Sequence, residues 1–192
     1  MPDSNPAALK FLQTRRSRPA KTLGLPIPGR AEVAEMLTIA ARCPDHGKLE
    51  PWRFVVLERG ALERLAGLIA PCGARLGKTE DEIAKAYRQY ADAHLAVAVI
   101  ETPKTSPKVP GIEQTYSTGA VCLSLLNAAL ASGWGANWLS GWASHDPAFQ
   151  REALGLAQNE RIAGLIHIGT QTIAPPERPR PDVAAITTWL TD

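Results

Sequence analysis

Residues 113–139 read EQTYSTGAVCLSLLNAALASGWGANWL, a long helix candidate that leads into a short strand candidate. Residues 120–130 are apolar on most sides of a helix, which predicts that a helix over Glu113–Ser132 is buried in a core or at a subunit interface. Gly133 is a typical helix terminator, because glycine adopts left-handed backbone without steric cost. Residues 137–139 then predict a short strand.

Elements of both kinds flank this segment. Helical spacing and capping residues predict further helices, which are Pro6 to about Arg15, 30–42, 61–69, about 80–90 and 147–154. Continuous apolar runs predict buried strands at 53–58, 95–101 and 161–169. This mixture indicates an α+β or α/β class and leaves the strand order open.

The composition is that of one globular domain over residues 1–192, with 45% hydrophobic and 21% charged residues. A formal net charge of +2 does not favour nucleic acid or an anionic membrane as a partner. The three cysteines, Cys43, Cys72 and Cys122, form no CxxC pair, which argues against a disulfide framework or a zinc site. No apolar run follows Arg15-Arg16 as in a secretory signal, so a cytoplasmic location is expected.

Residues 170–192 begin with a proline-rich tract that cannot enter the interior of a sheet. Four apolar side chains follow it, at Val183, Ile186, Trp189 and Leu190. This pattern predicts an extended C-terminal arm that packs either on a partner subunit or on its own domain.

The usual signatures of catalytic and nucleotide sites are missing from the sequence. It holds no G-x-G-x-x-G, no phosphate-binding G-x-x-x-x-G-K-[ST], no H-E-x-x-H and no G-x-S-x-G. Hydrolase and metalloenzyme functions are therefore disfavoured, and neither a metal site nor a catalytic side chain is predicted.

Arg15-Arg16-Ser17 stands at the predicted end of the first helix. Two guanidiniums and a hydroxyl can together hold a phosphate, because the guanidinium fork matches its oxygen atoms. The alternative is a solvated helix C-terminus, where arginine interacts favourably with the helix dipole.

Two further segments could contact a ligand. In the loop 42–52, Arg42 and His46 offer hydrogen-bond donors, although His46 could instead bond only to the local backbone. The aromatic rings of Trp134, Trp138 and Trp142 could line a flat ring system, or they could form a cluster in the core.

The order of these segments resembles the nitroreductase family, in particular its small single-domain, YdjA-like members. The matching motifs are Arg15-Arg16-Ser17, Arg42-x-Pro44-Asp45-His46, Glu50-Pro51-Trp52, Gly133–Trp138 and Gly169-Thr170. The resemblance implies an α+β fold with a central, mostly antiparallel sheet flanked by helices. It also implies an intertwined homodimer that holds FMN at each of two interface sites, with the arm on the partner subunit.

The resemblance assigns the cofactor contacts residue by residue. They are Arg15, Arg16, Ser17, Arg42, His46, Trp138, Leu139, Ser140 and either Arg178 or Arg180. Of these, Arg42 and His46 would reach the flavin that is bound mainly by the other subunit. The segment near NAD(P)H would be Ala128, Ala129, Leu130, Ala131, Ser132 and Gly133.

The implied activity is that of an FMN-dependent NAD(P)H oxidoreductase. A hydride would pass from NAD(P)H through flavin N5 to an electron-poor acceptor such as a nitroaromatic or a quinone, so the cofactor carries the chemistry. The alternatives are an FMN-binding or flavin-sensing module with little turnover, a specialised flavin reaction on the same fold, and a dimeric interaction protein without flavin.

Overall fold

The computed structural model describes residues 3–191, so the ends of the predicted domain and the last residue of the arm lie outside the described residues. The α-helices are α1 (Pro6–Thr14), α2 (Arg30–Ala40), α3 (Arg59–Arg75), α4 (Glu80–Ala91), α5 (Gly111–Ala131) and α6 (Pro147–Leu154). The strands are β1 (Leu23–Gly24), β2 (Trp52–Glu58), β3 (Leu95–Glu101), β4 (Gly135–Leu139) and β5 (Arg161–Gln171).

The five strands form one sheet in the order β1-β5-β3-β2, with β4 also paired to β5. All of these pairings are antiparallel, which confirms the predicted α+β class and the antiparallel sheet. The central strand is β5, because its 11 residues bond to β3, then to β4 and finally to β1.

Helices cover both faces of the sheet, and β3 shows why its sequence is apolar throughout. Successive strand residues point to opposite faces, so Ala96 and Ala98 pack with α3 and α6, whereas Val97 and Val99 pack with α2 and α5. Every residue of β3 is therefore buried.

Apart from shifts of one or two residues at the ends of elements, two elements differ from the sequence-based expectations. Helix α3 continues to Arg75 rather than ending at Ile69, because Cys72 extends its buried face and the exposed Pro71 does not interrupt it. Strand β1 was not predicted, since two residues carry no readable alternation. Among residues 3–191, none of the helices has the length and apolar character needed to cross a membrane.

A buried histidine, His167, lies in the middle of β5 opposite Asn137 of β4. His167 is 2% exposed, and its Nε2 has no hydrogen-bond partner within the described chain. Burial disfavours the charged imidazolium, and it lowers the pKa of His167 to about 4 from an ordinary value of 6.5.

This burial predicts a loss of stability in mild acid. Between about pH 6.5 and 4 the unfolded chain binds a proton at His167 and the native chain does not, so the free energy of unfolding falls as the pH falls. The full effect is about 3 kcal/mol. Chemical denaturation across this pH range should show that His167→Leu has a shallower pH dependence than the wild type. Equal slopes for the two proteins would refute this assignment.

Candidate active site

The segment Arg15–Arg18 follows α1 and is held against β4. The Arg18 backbone N–H donates to the Ala136 carbonyl oxygen at 2.8 Å, and the Asn137 side-chain amide donates to the Arg18 carbonyl oxygen at 2.6 Å. Within the segment, Arg15 Nη2 donates to Ser17 Oγ at 3.1 Å. The backbone directly after the predicted triplet is therefore fixed to the sheet through Arg18, whereas a solvated helix end would have no such anchor.

A close approach of backbones supports this arrangement. Gly169 of β5 faces β1 so tightly that a Cβ there would lie 2.8 Å from the Gly24 carbonyl oxygen. Gly135 of β4 is equally crowded, since a Cβ there would lie 2.6 Å from Leu23 Cδ2. Because these two positions are glycines, β1 can lie close beside β5 and β4. The chain that follows Arg18 is therefore held at the sheet.

The structure gathers three arginines at this point. Arg16 Nη2 donates to the Pro176 carbonyl oxygen of the arm at 3.3 Å. Burial lowers the pKa of Arg15, and the positive charges of Arg180 and Arg16 lower it further, as expected where three guanidiniums lie near one another. Within residues 3–191, Arg15 Nε and Arg16 Nε are both buried without a hydrogen-bond partner. Such unpaired, charged donors suit an anion such as a phosphate.

One carboxylate lies beside the arginines. Glu177 Oε1 is 2.7 Å from Arg180 Nη2. Its pKa is lowered first by the backbone N–H of Arg178, then by hydrogen bonding to Arg180, with smaller effects from the charges of Arg180 and Arg16. One carboxylate cannot neutralise three guanidiniums, so the cluster keeps a net positive charge. Of the two arm arginines considered from the sequence, it is Arg180 whose charge acts on Arg15.

The other pair of predicted basic contacts, Arg42 and His46, lies in the loop after α2. His46 Nδ1 lies 2.7 Å from Glu113 Oε2 in the first turn of α5, and Cys43 Sγ lies 3.7 Å from the Ser117 carbonyl oxygen. His46 is thus not a turn histidine bonded only to its local backbone. Its partner is 67 residues away in sequence.

Helix α5 separates the two basic groups within one chain. His46 contacts Glu113 in its first turn, and Cys43, the neighbour of Arg42, contacts Ser117, whereas Arg15–Arg18 lie against β4, which begins just after its C-terminal end. From Glu113 to Ala131 the helix axis rises about 27 Å, at 1.5 Å per residue. One chain therefore does not bring the two groups together around one small ligand.

The tryptophans do not line one common slot. Trp134 packs against the core beside α5, and Trp142 packs against the core on the opposite face of the sheet. Trp138 lies over Gly164, where a Cβ would come within 2.1 Å of the indole Nε1. Trp134 and Trp142 therefore pack against the core, on opposite faces of the sheet.

The remaining predicted contacts lie around β4 and the end of α5. Leu139 is half-buried at the end of β4, and Ser140 after it is exposed. In the predicted nucleotide segment, Ala128 and Ala129 are buried in the core, whereas residues 131–133 are exposed. A nucleotide contact from this segment would thus involve the exposed turn, in which Gly133 has a φ of 87°.

Several polar partners in this region were not predicted from the sequence. They are Glu113 for His46, Glu177 for Arg180, and Asn137 for Arg18, which was not itself a predicted site residue. Only the pair formed by Glu177 and Arg180 carries a local signal, because the two residues are three apart and of opposite charge.

Comparison with known proteins places this geometry in a family. The sequence profile described as Nitroreductase family matches residues 20–170. The Escherichia coli (strain K12) protein YdjA, which is assigned as an NAD(P)H nitroreductase, is 32% identical over 163 residues, or 85% of this chain and 87% of YdjA.

Two solved structures show the same fold. A nitroreductase-like family protein from Bacillus cereus superposes with a TM-score of 0.79 at 23% identity, covering 99% of this chain and 98% of that one. The FMN and NADPH-dependent nitroreductase NfnB from Sphigopyxis sp. strain HMH has a TM-score of 0.73 at 19% identity, covering 96% and 99%. On the family match and the identity to YdjA, the chain belongs to the nitroreductase family of oxidoreductases.

Proposed function

We propose that this protein is a homodimeric, FMN-dependent NAD(P)H oxidoreductase that reduces an electron-poor acceptor such as a nitroaromatic or a quinone. The observation that carries the proposal is the cluster of Arg15, Arg16 and Arg180, with its unpaired Nε donors, in a chain of the nitroreductase family. The related fold of NfnB, which depends on FMN and NADPH, supports the choice of cofactor and reductant.

The arginine cluster would hold the phosphate of FMN. Two guanidinium Nε atoms without partners and a net positive charge fit a phosphate dianion, which accepts several hydrogen bonds at once. Ser17 Oγ, already bonded to Arg15, would add a donor beside it. Arg180 would exchange its bond to Glu177 for one to the phosphate.

A second copy of the chain would complete each site. Arg42 and His46 lie too far along α5 to meet the arginine cluster of their own chain, so their predicted contact with flavin requires a partner. The chain also leaves a set of large apolar side chains exposed on α1, α5 and the arm, namely Leu9, Leu12, Ile112, Tyr116, Leu123, Val183, Ile186, Trp189 and Leu190. Surfaces of this kind mark protein interfaces.

The arm is the clearest part of this interface. Trp189 is 86% exposed and Leu190 is 92% exposed within one chain, although both are apolar. Thr170 and Gln171 pair with β1, and the Pro176 carbonyl oxygen bonds to Arg16, within one chain. We therefore place the end of the arm, from Val183 onward, on the partner subunit, where burial of these side chains would offset the cost of ordering an extended segment. Since Cys43, Cys72 and Cys122 are free thiols, we also propose a reducing, cytoplasmic setting.

The protein's part in the reaction is to bind and to orient. FMN, when bound, supplies the hydride and electron transfer between NAD(P)H and the acceptor. The chain binds the phosphate through its arginines, and the exposed turn 131–133 offers a surface for the nicotinamide nucleotide. In this proposal the side chains of the site bind and orient the reactants, and none of them transfers a proton.

Loss of the phosphate contacts should weaken FMN binding. In the double variant Arg15→Ala/Arg16→Ala, we expect the dissociation constant for FMN, measured by quenching of flavin fluorescence, to rise at least about tenfold, since a charged hydrogen bond contributes roughly 1.5–3 kcal/mol. Riboflavin lacks the phosphate, so its affinity should change little.

The control for this experiment is Arg88→Ala, which removes an exposed arginine of α4. It should leave the affinity for FMN unchanged. Equal losses of affinity for FMN and riboflavin in the double variant would mean that the arginines do not bind the phosphate. Unchanged affinity for both would refute their role in binding.

Turnover is tested by the visible spectrum of the FMN-loaded protein without oxygen. We expect the flavin absorbance to bleach after addition of NADH or NADPH and to return when a nitroaromatic or a quinone is added. A flavin that stays oxidised with both nucleotides would instead favour a flavin-binding module with little turnover. A protein that takes up no FMN would refute the proposed function.

A further inference from the structure

The loop that carries His46 has a backbone conformation that its residues do not favour. Gly47 has a φ of 75°, and the non-glycine residues Lys48 and Glu50 have φ values of 52° and 49°. Left-handed backbone is unfavourable for residues with a Cβ, and such conformations persist where the surrounding structure enforces them. Two such non-glycine residues, only two positions apart, indicate that contacts with the surrounding structure hold the loop in this conformation.

Two contacts hold the loop. The Glu50 backbone N–H donates to Asp45 Oδ2 at 2.7 Å, which closes the loop on itself. The second contact is the one between His46 and Glu113, and it fixes the imidazole ring rather than the backbone.

The pair formed by His46 and Glu113 is poorly placed to stabilise the fold. The two side chains are 56% and 43% exposed, and ion pairs of such exposure contribute little to the free energy of unfolding. What the contact does provide is orientation. Glu113 stands in the first turn of a 21-residue helix, so its carboxylate is presented from a rigid element.

The contact also determines which ring nitrogen is free. A carboxylate only accepts hydrogen bonds, so His46 Nδ1 must carry the proton that is donated to Glu113 Oε2 at 2.7 Å. His46 Nε2 then remains as the ring atom that can meet a ligand. Carboxylates that bond to one imidazole nitrogen commonly set the tautomer and the ring orientation in this way.

We propose that Glu113 is a positioning residue, which holds the His46 ring so that Nε2 faces the FMN bound mainly by the partner subunit. This inference rests on the proposed dimeric FMN site and adds to it a residue outside the cofactor contacts. Glu113 itself need not touch the cofactor, since it acts through His46.

The first test is the tautomer of His46, measured by ¹⁵N–¹H NMR on the dimeric protein with ¹⁵N-labelled histidine. The chain has four histidines, so His46→Gln identifies the signal. We expect neutral His46 to carry its proton on Nδ1, although free histidine favours Nε2. In Glu113→Ala the signal should shift toward the Nε2–H form, whereas Glu113→Gln keeps an acceptor oxygen and should retain the Nδ1–H form. An Nε2–H tautomer in the wild type would overturn the proposal.

The second test is the dissociation constant for FMN. We expect Glu113→Ala to weaken binding about three- to tenfold, the range of one lost hydrogen bond, and Glu113→Gln to restore most of it. The matched control is Glu80→Ala, because Glu80 is an exposed acid in the first turn of α4. It repeats the change in helix-dipole interaction without involving His46.

The outcomes separate this inference from the proposed function. If the wild type binds FMN and Glu113→Ala binds it equally well, the positioning role is wrong and the FMN site stands. If His46→Gln weakens binding but Glu113→Ala does not, His46 acts without Glu113 and the inference is likewise overturned. If the wild type binds no FMN, the proposed function itself fails, whichever tautomer His46 adopts.

Discussion

The packing of α5 against β3, β4 and β5 is the constraint on which the rest of the structure depends. Its buried face, which includes Val121, Leu125 and Ala129, forms the core on one side of the sheet. Its 21-residue length then sets the distance between the loop of His46 at one end and the segment of Arg15–Arg18 near the other. A site that uses both groups must draw them from two chains, so the geometry of one helix connects the fold to the proposed assembly.

Tertiary structure brings the arginines of the cluster together from distant parts of the sequence. Arg15 and Arg16 end a helix that has no buried residues, and Arg180 lies in an arm without regular structure. They meet because Arg18 is bonded to β4 and because the chain after β5 returns past Arg16 at Pro176. Like charges held together in a partly buried place are unfavourable without an anion. The unpaired Nε atoms of Arg15 and Arg16 are consistent with a ligand that completes the cluster.

Most helices and strands could be predicted from the local sequence, whereas most contacts of the candidate site could not. Periodicity and capping residues predicted the helices and the longer strands, as in the capping box of Thr79 and Glu82. Strand β1 was not predicted because its two residues are defined only by pairing with β5. The contact of His46 with Glu113 was not predicted because the two residues are 67 positions apart, and no local rule connects such positions. The sequence left open whether the tryptophans line one slot or pack in the core, because local spacing does not show that Trp134 and Trp142 lie on opposite faces of the sheet.

In the proposed dimer, each cofactor site combines the arginine cluster of one chain with Arg42 and His46 of the other. The most direct test mixes two variants, Arg15→Ala/Arg16→Ala and Arg42→Ala/His46→Ala, each of which should bind FMN poorly alone. After unfolding and refolding together, half of the dimers should be mixed, and each mixed dimer should contain one intact site. We expect FMN binding to return to about one quarter of the wild-type number of sites. No recovery in dimers shown to be mixed would contradict the shared site.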